Sequence, residues 1–93
     1  MIDYKSKRWE LKRNKILKRD KYICQESKRY GKRIDAEMVH HIWPADDYPE
    51  YAWEDWNLIS LSNKAHNKMH VRSTKELTAI GEALRQRTPP PQK

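Results

Sequence analysis

The chain has 93 residues, of which 37% are hydrophobic and 35% are charged, with a formal net charge of +7 at pH 7. This length suits one small domain with a thin core, and four Trp and five Tyr offset the absence of Phe. No run approaches the ~20 apolar residues that span a bilayer, and no signal peptide is evident. A single cysteine excludes an intrachain disulfide framework. We therefore expect a soluble cytoplasmic protein with no membrane partner.

The charge is unevenly distributed along the chain. Residues 1–37 contain thirteen basic and six acidic residues, residues 38–60 contain five acidic and no basic ones, and residues 61–93 contain seven basic and two acidic ones. Basic flanks around an acidic, aromatic middle predict a polyanion partner, because neutralised phosphates release counterions and so drive association. A solvated lysine-rich helix face has the same composition, so charge alone does not establish nucleic-acid binding.

The first predicted element is a basic helix over residues 4–20, with no Gly or Pro inside it. One stripe of this helix carries Trp9, Ile16, Leu17 and either Leu11 or Lys12, and other Lys and Arg residues cover the rest. Residues 21–37 are then predicted to form an irregular knuckle, in which Gly31 allows a tight turn.

Two short apolar segments follow. Residues 37–42, "EMVHHI", predict a strand bounded by Pro44, and residues 57–61, "NLISL", predict a second strand. The long connection between them contains Pro44 and Pro49 and is expected to be packed by its own aromatic side chains.

The last part of the chain is predicted to be helical. The pattern resumes at Asn63 and runs through "KAHNKMHV". A capping box, with Ser73 as N-cap and Glu76 three residues later, then predicts a helix that ends before the triple proline. Residues 1–88 are interpreted as one domain, and residues 89–93 as a flexible Pro-rich tail.

All four histidines lie between positions 40 and 70. His66 and His70 are four residues apart in the predicted helix, which places their Cβ atoms about 5–6 Å apart on one face. Successive strand residues point to opposite faces, so His40 is expected to face that helix and His41 to point away. Three imidazoles, from His40, His66 and His70, would suit one divalent transition metal, and His41 is left free to transfer protons.

Phosphodiester hydrolysis requires these groups. A metal neutralises the phosphate oxygens and the departing alkoxide, and a base deprotonates the attacking water. A histidine, with an ordinary pKa of about 6.5, suits the role of that base, and we assign it to His41. The acidic residues of the connection are interpreted as a solvated loop, although they could be additional ligands: Asp46, Asp47, Glu54 and Asp55.

The segments "VHHI", "WNL" and "HNKMH" resemble the HNH, or ββα-metal, endonucleases. Residues 42–70 look especially like the small phage-encoded members, and the histidine spacing is also similar to that of colicin-type DNases. The resemblance covers residues 9–72 and is specific over residues 39–70. It implies an α+β fold, with a small ββα-metal (HNH) core over about residues 38–72, an N-terminal basic helix and a C-terminal helix.

The resemblance also implies roles for individual residues. His41 matches the general base, and Asn57 matches the middle Asn, which fixes the base histidine by hydrogen bonds across the hairpin. His40 stands where many relatives have a metal-binding Asp. His66 matches the metal ligand at the start of the helix, and His70 matches an additional ligand found in some members. One divalent ion is implied, and Mn, Ni, Zn and Mg all remain open.

Many relatives hold a structural zinc with two Cys-x-x-Cys pairs, but the corresponding positions here are Cys24, Ser27, Ser62 and Ala65. Serine and alanine cannot complete a tetrahedral zinc site, so we predict no structural zinc. Cys24 is expected to pack as a small hydrophobe. Aromatic side chains are expected to hold the knuckle instead: Trp9, Tyr22, Trp43, Trp53 and Trp56.

The predicted function is a metal-dependent DNA endonuclease that nicks or cuts both strands. The resemblance to the phage members implies a role in phage DNA processing or packaging, and we expect a monomer in the host cytoplasm. Basic side chains near the site are predicted to contact backbone phosphates, which positions a duplex without reading its sequence: Lys64, Lys68, Arg72, Arg8, Lys12 and Arg13. Two alternatives remain open, a DNA-binding module with a decayed site and an accessory domain that docks on a phage terminase large subunit.

Overall fold

The computed structural model describes residues 3–70 and 76–91 of the chain. It has an α+β architecture with one two-stranded antiparallel sheet. The α-helices and strands in chain order are α1 (Lys7–Arg19), α2 (Gln25–Arg29), β1 (Met38–His41), β2 (Leu58–Leu61), α3 (Asn63–Asn67) and α4 (Ala79–Arg87). Two 3-10 helices, Pro49–Tyr51 and Asp55–Asn57, lie between the strands. Within the described residues, no helix has both the length and the apolar character needed to cross a bilayer.

Helix α1 confirms the predicted basic helix. It begins after Ser6, whose Oγ accepts a hydrogen bond from the backbone N–H of Trp9 at 3.2 Å, as an N-cap does. Trp9, Ile16 and Leu17 are buried, so the predicted stripe is the buried face. Leu11 is 58% exposed and lies off this stripe.

The segment after α1 is more regular than predicted. It contains the short helix α2, and Ile23 pairs with Asp35 in an isolated antiparallel bridge. Gly31 has φ +75°, which confirms the tight turn that glycine allows. The prediction that Tyr22 helps to hold this segment is wrong, because its side chain is 53% exposed. The buried anchor is Cys24, which packs in an apolar cluster as expected.

Strands β1 and β2 form the predicted hairpin, with Met38 opposite Leu61 and His41 opposite Leu58. Side chains alternate between the two faces, and each face covers its own apolar cluster. On one face, Leu58 packs with buried residues that include Trp9 of α1. On the other face, Leu61 packs with buried residues near α3 and α4. The hairpin therefore separates the two helical layers.

The connection between the strands is packed by its own aromatic side chains, as predicted. Trp43 meets Tyr48 edge to face, with ring centroids 5.0 Å apart, and Tyr51 meets Trp56 in the same way at 5.0 Å. Trp43 Nε1 also donates to Thr88 O at 2.7 Å. This bond ties the C-terminal end of α4 to the connection.

Helix α3 is shorter than predicted. It begins after the N-cap Ser62 and ends at Asn67. His70 therefore lies beyond the helix and pairs with Leu77 in an isolated antiparallel bridge. The expectation that His66 and His70 share one face of a continuous helix is wrong.

Helix α4 begins later than predicted. Its N-cap is Thr78, whose Oγ1 accepts a hydrogen bond from the backbone N–H of Gly81 at 3.2 Å. Glu76 therefore precedes the helix and cannot close the predicted capping box, whereas Ser73 lies outside the described residues. The late start follows from the bridge at residue 77, because a residue paired in extended conformation cannot also begin a helix.

Candidate active site

Three histidines from different parts of the fold meet on one side of β1. His40 lies on the strand, His66 on α3, and His70 in the segment that follows α3. One ring nitrogen from each lies within 4.8 Å of the others. The ring centroids are 5.3 Å apart for His40 and His66, 5.2 Å for His40 and His70, and 5.6 Å for His66 and His70.

The environment of His40 suits a metal ligand. Its side chain is 2% exposed, and Nε2 is buried without a hydrogen-bond partner among the described residues. Burial, together with the adjacent His66 and His70, lowers the pKa of His40 to about 3. Burial also lowers the pKa of His66. A neutral imidazole with an unsatisfied buried nitrogen is costly alone, and a divalent cation would satisfy it. The three-imidazole donor set therefore fits a transition metal.

His41 occupies the opposite face of β1. Its Nε2 is 3.0 Å from Ala52 O, and since a carbonyl only accepts hydrogen bonds, Nε2–H donates. The ring stacks on Trp9 at a centroid distance of 5.3 Å and an interplanar angle of 19°. Burial lowers the pKa of His41, although the Ala52 carbonyl and the charge of Asp46 oppose that shift. In the neutral ring, Nδ1 then carries the free lone pair.

Asn57 holds the connection between the strands. It is fully buried, and its Oδ1 accepts a hydrogen bond from the backbone N–H of Trp43 at 2.6 Å. Its Nδ2 donates to Trp43 O at 3.1 Å and to Tyr51 O at 3.0 Å. Tyr51 immediately precedes Ala52, so these bonds fix the backbone whose carbonyl orients His41.

An open cavity of about 910 Å³ borders all four histidines, and its lining includes Tyr4, Arg13, Asp46 and Asn67. Sequence reasoning identified Arg13 but missed Tyr4 and Asn67. No local pattern indicates that Tyr4 folds back, with its ring edge-on to Trp9 at 5.2 Å. Asp46 is exposed, in line with its interpretation as a solvated loop residue, and it also borders this cavity. Within the described part of the chain, no carboxylate joins the histidine group.

Comparison with solved structures finds the crystal structure of the deep-sea thermophilic bacteriophage GVE2 HNH endonuclease with manganese ion. The two chains are 34% identical, and the alignment covers 69% of this chain and 70% of that chain with a TM-score of 0.66. This chain belongs to the HNH endonuclease family. No protein-family model and no curated protein matches it.

Membership of the HNH family confirms the predicted fold class, in which a two-stranded antiparallel hairpin and a helix make up the ββα-metal core. The likeness to the phage enzyme also supports a nuclease activity in general. The manganese ion of that structure, together with the His40, His66 and His70 group of this HNH chain, supports metal binding.

The basic residues of α1 that were predicted to contact DNA have different surroundings in this HNH protein. Arg13 borders the histidine cavity, and its Nη2 donates to Glu37 O at 2.8 Å. Arg8 is exposed, with its guanidinium carbon 3.8 Å from the ring centroid of Trp53. Lys12 is engaged within the protein, since its Nζ lies 2.6 Å from an oxygen of the Asp55 carboxylate.

The predicted basic residues that follow β2 lie elsewhere on the surface. Lys64 and Lys68 are both exposed and line a second groove. Asn67 borders this groove and also the histidine cavity. Arg72 lies outside the described residues, so its predicted contact has no structural counterpart here.

The positions that hold a structural zinc in many HNH enzymes also come together here. Ser27 Oγ donates to Cys24 Sγ at 3.3 Å, and Ser62 Oγ accepts a hydrogen bond from the backbone N–H of Ala65 at 3.1 Å. Cys24 is fully buried in the cluster that contains Leu84 of α4. Apolar packing and hydroxyl hydrogen bonds therefore occupy these positions, and the absence of a structural zinc stays a prediction.

Proposed function

We propose that this HNH endonuclease hydrolyses phosphodiester bonds of DNA, with one divalent ion held by His40, His66 and His70. The convergence of three ring nitrogens within 4.8 Å carries this proposal. When bound, such an ion supplies positive charge to the phosphate oxygens and to the leaving alkoxide. A donor set of three imidazoles favours a transition metal over Mg²⁺, and the manganese of the GVE2 structure makes Mn²⁺ the first ion to test.

In this proposal, His41 is the general base. Burial keeps its ring neutral by lowering its pKa, and the Nε2–H bond to Ala52 O leaves Nδ1 to accept a proton from water. The stacked ring of Trp9 restricts the plane of the imidazole. The deprotonated water attacks phosphorus in line, and resemblance to the family implies 5′-phosphate and 3′-hydroxyl products.

Asn57 serves as a positioning residue. Its hydrogen bonds to Trp43 and Tyr51 hold the backbone beside Ala52, and so maintain the acceptor that orients His41. It has no contact with the reacting atoms in this scheme.

We propose that the phosphate groups of DNA are held mainly by arginine and lysine side chains around the cavity. Arg13 is the strongest candidate, because it borders the histidine cavity and uses only Nη2 in its bond to Glu37 O. Lys64 is exposed on α3 and Lys68 immediately after it, and both would contact phosphates farther from the cut, as would Arg8. The phosphate contact of Arg72 stays a proposal from the sequence. Lys12 would have to exchange its ion pair with an acidic partner for a phosphate.

A supercoiled-plasmid assay with Mn²⁺, with and without EDTA, tests the function. His41→Ala should slow cutting by about 10²–10⁴-fold, as loss of a general base does. It should leave the ion content unchanged, because His41 points away from the three-histidine group. Gln86→Ala, at an exposed position on α4, is the matched control. If His41→Ala cuts as fast as the parent, the assignment of the base is wrong.

Elemental analysis tests the metal site independently of cutting. The parent should carry one ion per chain, and His40→Ala should carry none. An unchanged ion content in His40→Ala would place the ion elsewhere and overturn the assignment of the ligands.

We further propose that the enzyme is a monomer whose single domain is formed by residues 1–88. We also propose that it processes phage DNA in the host cytoplasm, and the phage origin of the GVE2 enzyme supports this role. A role in DNA packaging would require a terminase partner. Co-purification with a terminase large subunit, followed by comparison of cutting rates with and without it, tests that role. A rate that the subunit leaves unchanged, together with no co-purification, would contradict it.

A further inference from the structure

The backbone around the third histidine of the site is bonded to the segment that leads into the C-terminal helix. His70 lies beyond the end of α3, and its backbone pairs with Leu77, which immediately precedes the N-cap of α4. The backbone N–H of Thr78 donates to Met69 O at 2.9 Å, and Thr78 Oγ1 donates to Lys68 O. Residues 68–70 are therefore held by Leu77 and Thr78, the two residues that precede α4.

We propose that docking of α4 positions His70 in the metal site, and that Gly81 and Thr78 are the positioning residues that allow this docking. The inference rests on the metal site proposed above. It concerns how the third ligand is held in place.

Gly81 supplies the space for close approach. A Cβ at this position would collide with the backbone oxygen of Met69 and would lie 2.9 Å from Leu77 Cδ2. The first of these atoms belongs to the main chain and cannot move aside as the end of a flexible side chain can. The Met69 side chain is also fully buried in the cluster that contains Leu84 of α4. A methyl group at Gly81 must therefore displace α4 or the backbone that leads into His70.

The other two ligands have backbone hydrogen bonds outside α4, although Ala65 of α3 also packs in the cluster that contains Leu84. His40 lies on β1 and is fixed by strand pairing opposite Ile59. His66 lies within α3, where its backbone N–H donates to Ser62 O at 2.9 Å. Displacement of α4 should therefore remove one ligand of the three. The coupling must be reciprocal, so an ion that requires α4 to be docked also stabilises the docked state.

Gly81→Ala distinguishes the effect of packing on metal affinity from the effect of helix propensity. Packing predicts a lower affinity for Mn²⁺, whereas helix propensity predicts an equal or higher one. Alanine favours the helix over glycine, so a variant in which docking does not matter should bind metal as well as the parent or better. If docking positions His70, we expect Mn²⁺ affinity, measured by isothermal titration calorimetry, to fall about 10–100-fold, as with loss of a supporting partner. Gln86→Ala, at an exposed site on α4, is the control and should change affinity less than about 2-fold.

Thr78 provides a second pair of variants that leaves Gly81 intact. Thr78→Val removes the hydroxyl that bonds to Lys68 O and caps α4, whereas Thr78→Ser retains a hydroxyl. We expect the valine variant to lose affinity for Mn²⁺ and the serine variant to keep it. Far-UV circular dichroism of both establishes that the fold is retained, and this pair tests the inference even if Gly81→Ala does not fold.

A double-mutant cycle with His70→Ala shows whether Gly81 acts through that ligand. In the His70→Ala background, Gly81→Ala should cause no further loss of Mn²⁺ affinity, because the ligand that it displaces is already absent. Hydrogen exchange provides a structural readout. Mn²⁺ should slow amide exchange across residues 79–87 in the parent and should not do so in His70→Ala.

The outcomes separate this inference from the proposed function. A parent that binds no divalent ion overturns the metal site and the inference with it. A parent that binds Mn²⁺, with Gly81→Ala and Thr78→Val binding equally well, overturns the inference alone. Full additivity of the two substitutions in the cycle would also overturn it, because Gly81 would then act on affinity independently of His70.

Discussion

At the scale of single residues, His40 and His41 are neighbours in sequence with opposite surroundings. His40 faces two other histidines, and its buried Nε2 has no hydrogen-bond partner in the described part of the chain. His41 donates from Nε2 to Ala52 O and stacks on Trp9. A ring with an unsatisfied buried nitrogen suits a ligand, whereas a ring oriented by a carbonyl suits a base with Nδ1 available. The alternation of a strand is enough to give the two rings these different surroundings.

Replacement of Asn57 tests whether the connection between the strands orients His41. Asn57→Ala would leave the partly buried backbone N–H of Trp43 without its acceptor, so we expect a loss of about 1–3 kcal/mol in the free energy of unfolding. The cutting rate should fall by a larger factor than the affinity for Mn²⁺, because Asn57 supports the backbone whose carbonyl orients His41. Urea unfolding and titration with Mn²⁺ measure the two effects.

Asn14→Ala, at an exposed position on α1, is the matched control for Asn57→Ala. It should change the free energy of unfolding by less than about 0.5 kcal/mol. If Asn57→Ala is destabilised but cuts at the parental rate, Asn57 has a structural role without a positioning role.

At the scale of elements, α1 is joined to the hairpin by polar contacts as well as apolar packing. Arg19 Nη2 donates to Leu58 O at 2.7 Å, and the Asp20 carboxylate accepts a hydrogen bond from the backbone N–H of Ser60 at 3.0 Å. These contacts cover the edge of β2 that is not paired with β1. Because such an edge otherwise exposes unpaired backbone groups, α1 protects the hairpin from pairing with other chains.

Asp55 forms ion pairs with Lys12 and Lys15 of α1, and these pairs should make the stability of the protein depend on pH. Hydrogen bonds from Lys12 and Lys15 lower the pKa of Asp55 from the usual 3.8 to about 2. The folded carboxyl therefore binds protons less readily than the unfolded one. Its stabilising contribution is complete above about pH 4 and is lost as the pH falls toward 2.

Asp55→Asn should reproduce that loss at neutral pH. Because the side chain is 43% exposed and screened by solvent, the free energy of unfolding should fall by less than about 1 kcal/mol at pH 7. The difference from the parent should shrink between pH 4 and pH 2 in urea-unfolding measurements. Asn14→Ala, which changes no titratable group and lies at an exposed position on α1, should show no such pH dependence. A constant difference between parent and Asp55→Asn at all pH values would contradict the ion-pair assignment.

At the scale of the whole molecule, a thin core is divided by the hairpin into two clusters. The cluster around Cys24 and Leu84 occupies the positions where many relatives have zinc ligands, so apolar packing holds α2, α3 and α4 together there. A protein of 93 residues has little excess stability, and an ion that bridges β1, α3 and the segment before α4 should contribute noticeably.

Addition of Mn²⁺ should therefore raise the melting temperature. At an ion concentration of about 100 times Kd, the gain in the free energy of unfolding is about 2.7 kcal/mol if the unfolded chain does not bind the ion. Differential scanning fluorimetry, with EDTA-treated protein as the reference, measures the shift. His40→Ala should show no shift, and an equal shift in this variant would indicate binding elsewhere.

Sequence alone determined those features of the fold and the site that depend on local periodicity. The stripe of α1 depends on spacing within one helix, and the opposite directions of His40 and His41 depend only on the alternation of a strand. The resemblance of residues 39–70 to the HNH enzymes could also be recognised from the sequence, because its characteristic residues lie within one short segment of the chain. These features involve neighbours in sequence, whose geometry the backbone dictates.

Tertiary structure decided the features that join distant segments. His70 lies beyond α3 because its backbone pairs with Leu77, and that pairing also delays the start of α4. The acceptor for His41 is a carbonyl, Ala52 O, that carries no side-chain signal. The exposure of Tyr22 was likewise not predicted from its aromatic character. Each outcome depends on which segments pack together, and local propensity does not encode long-range contacts.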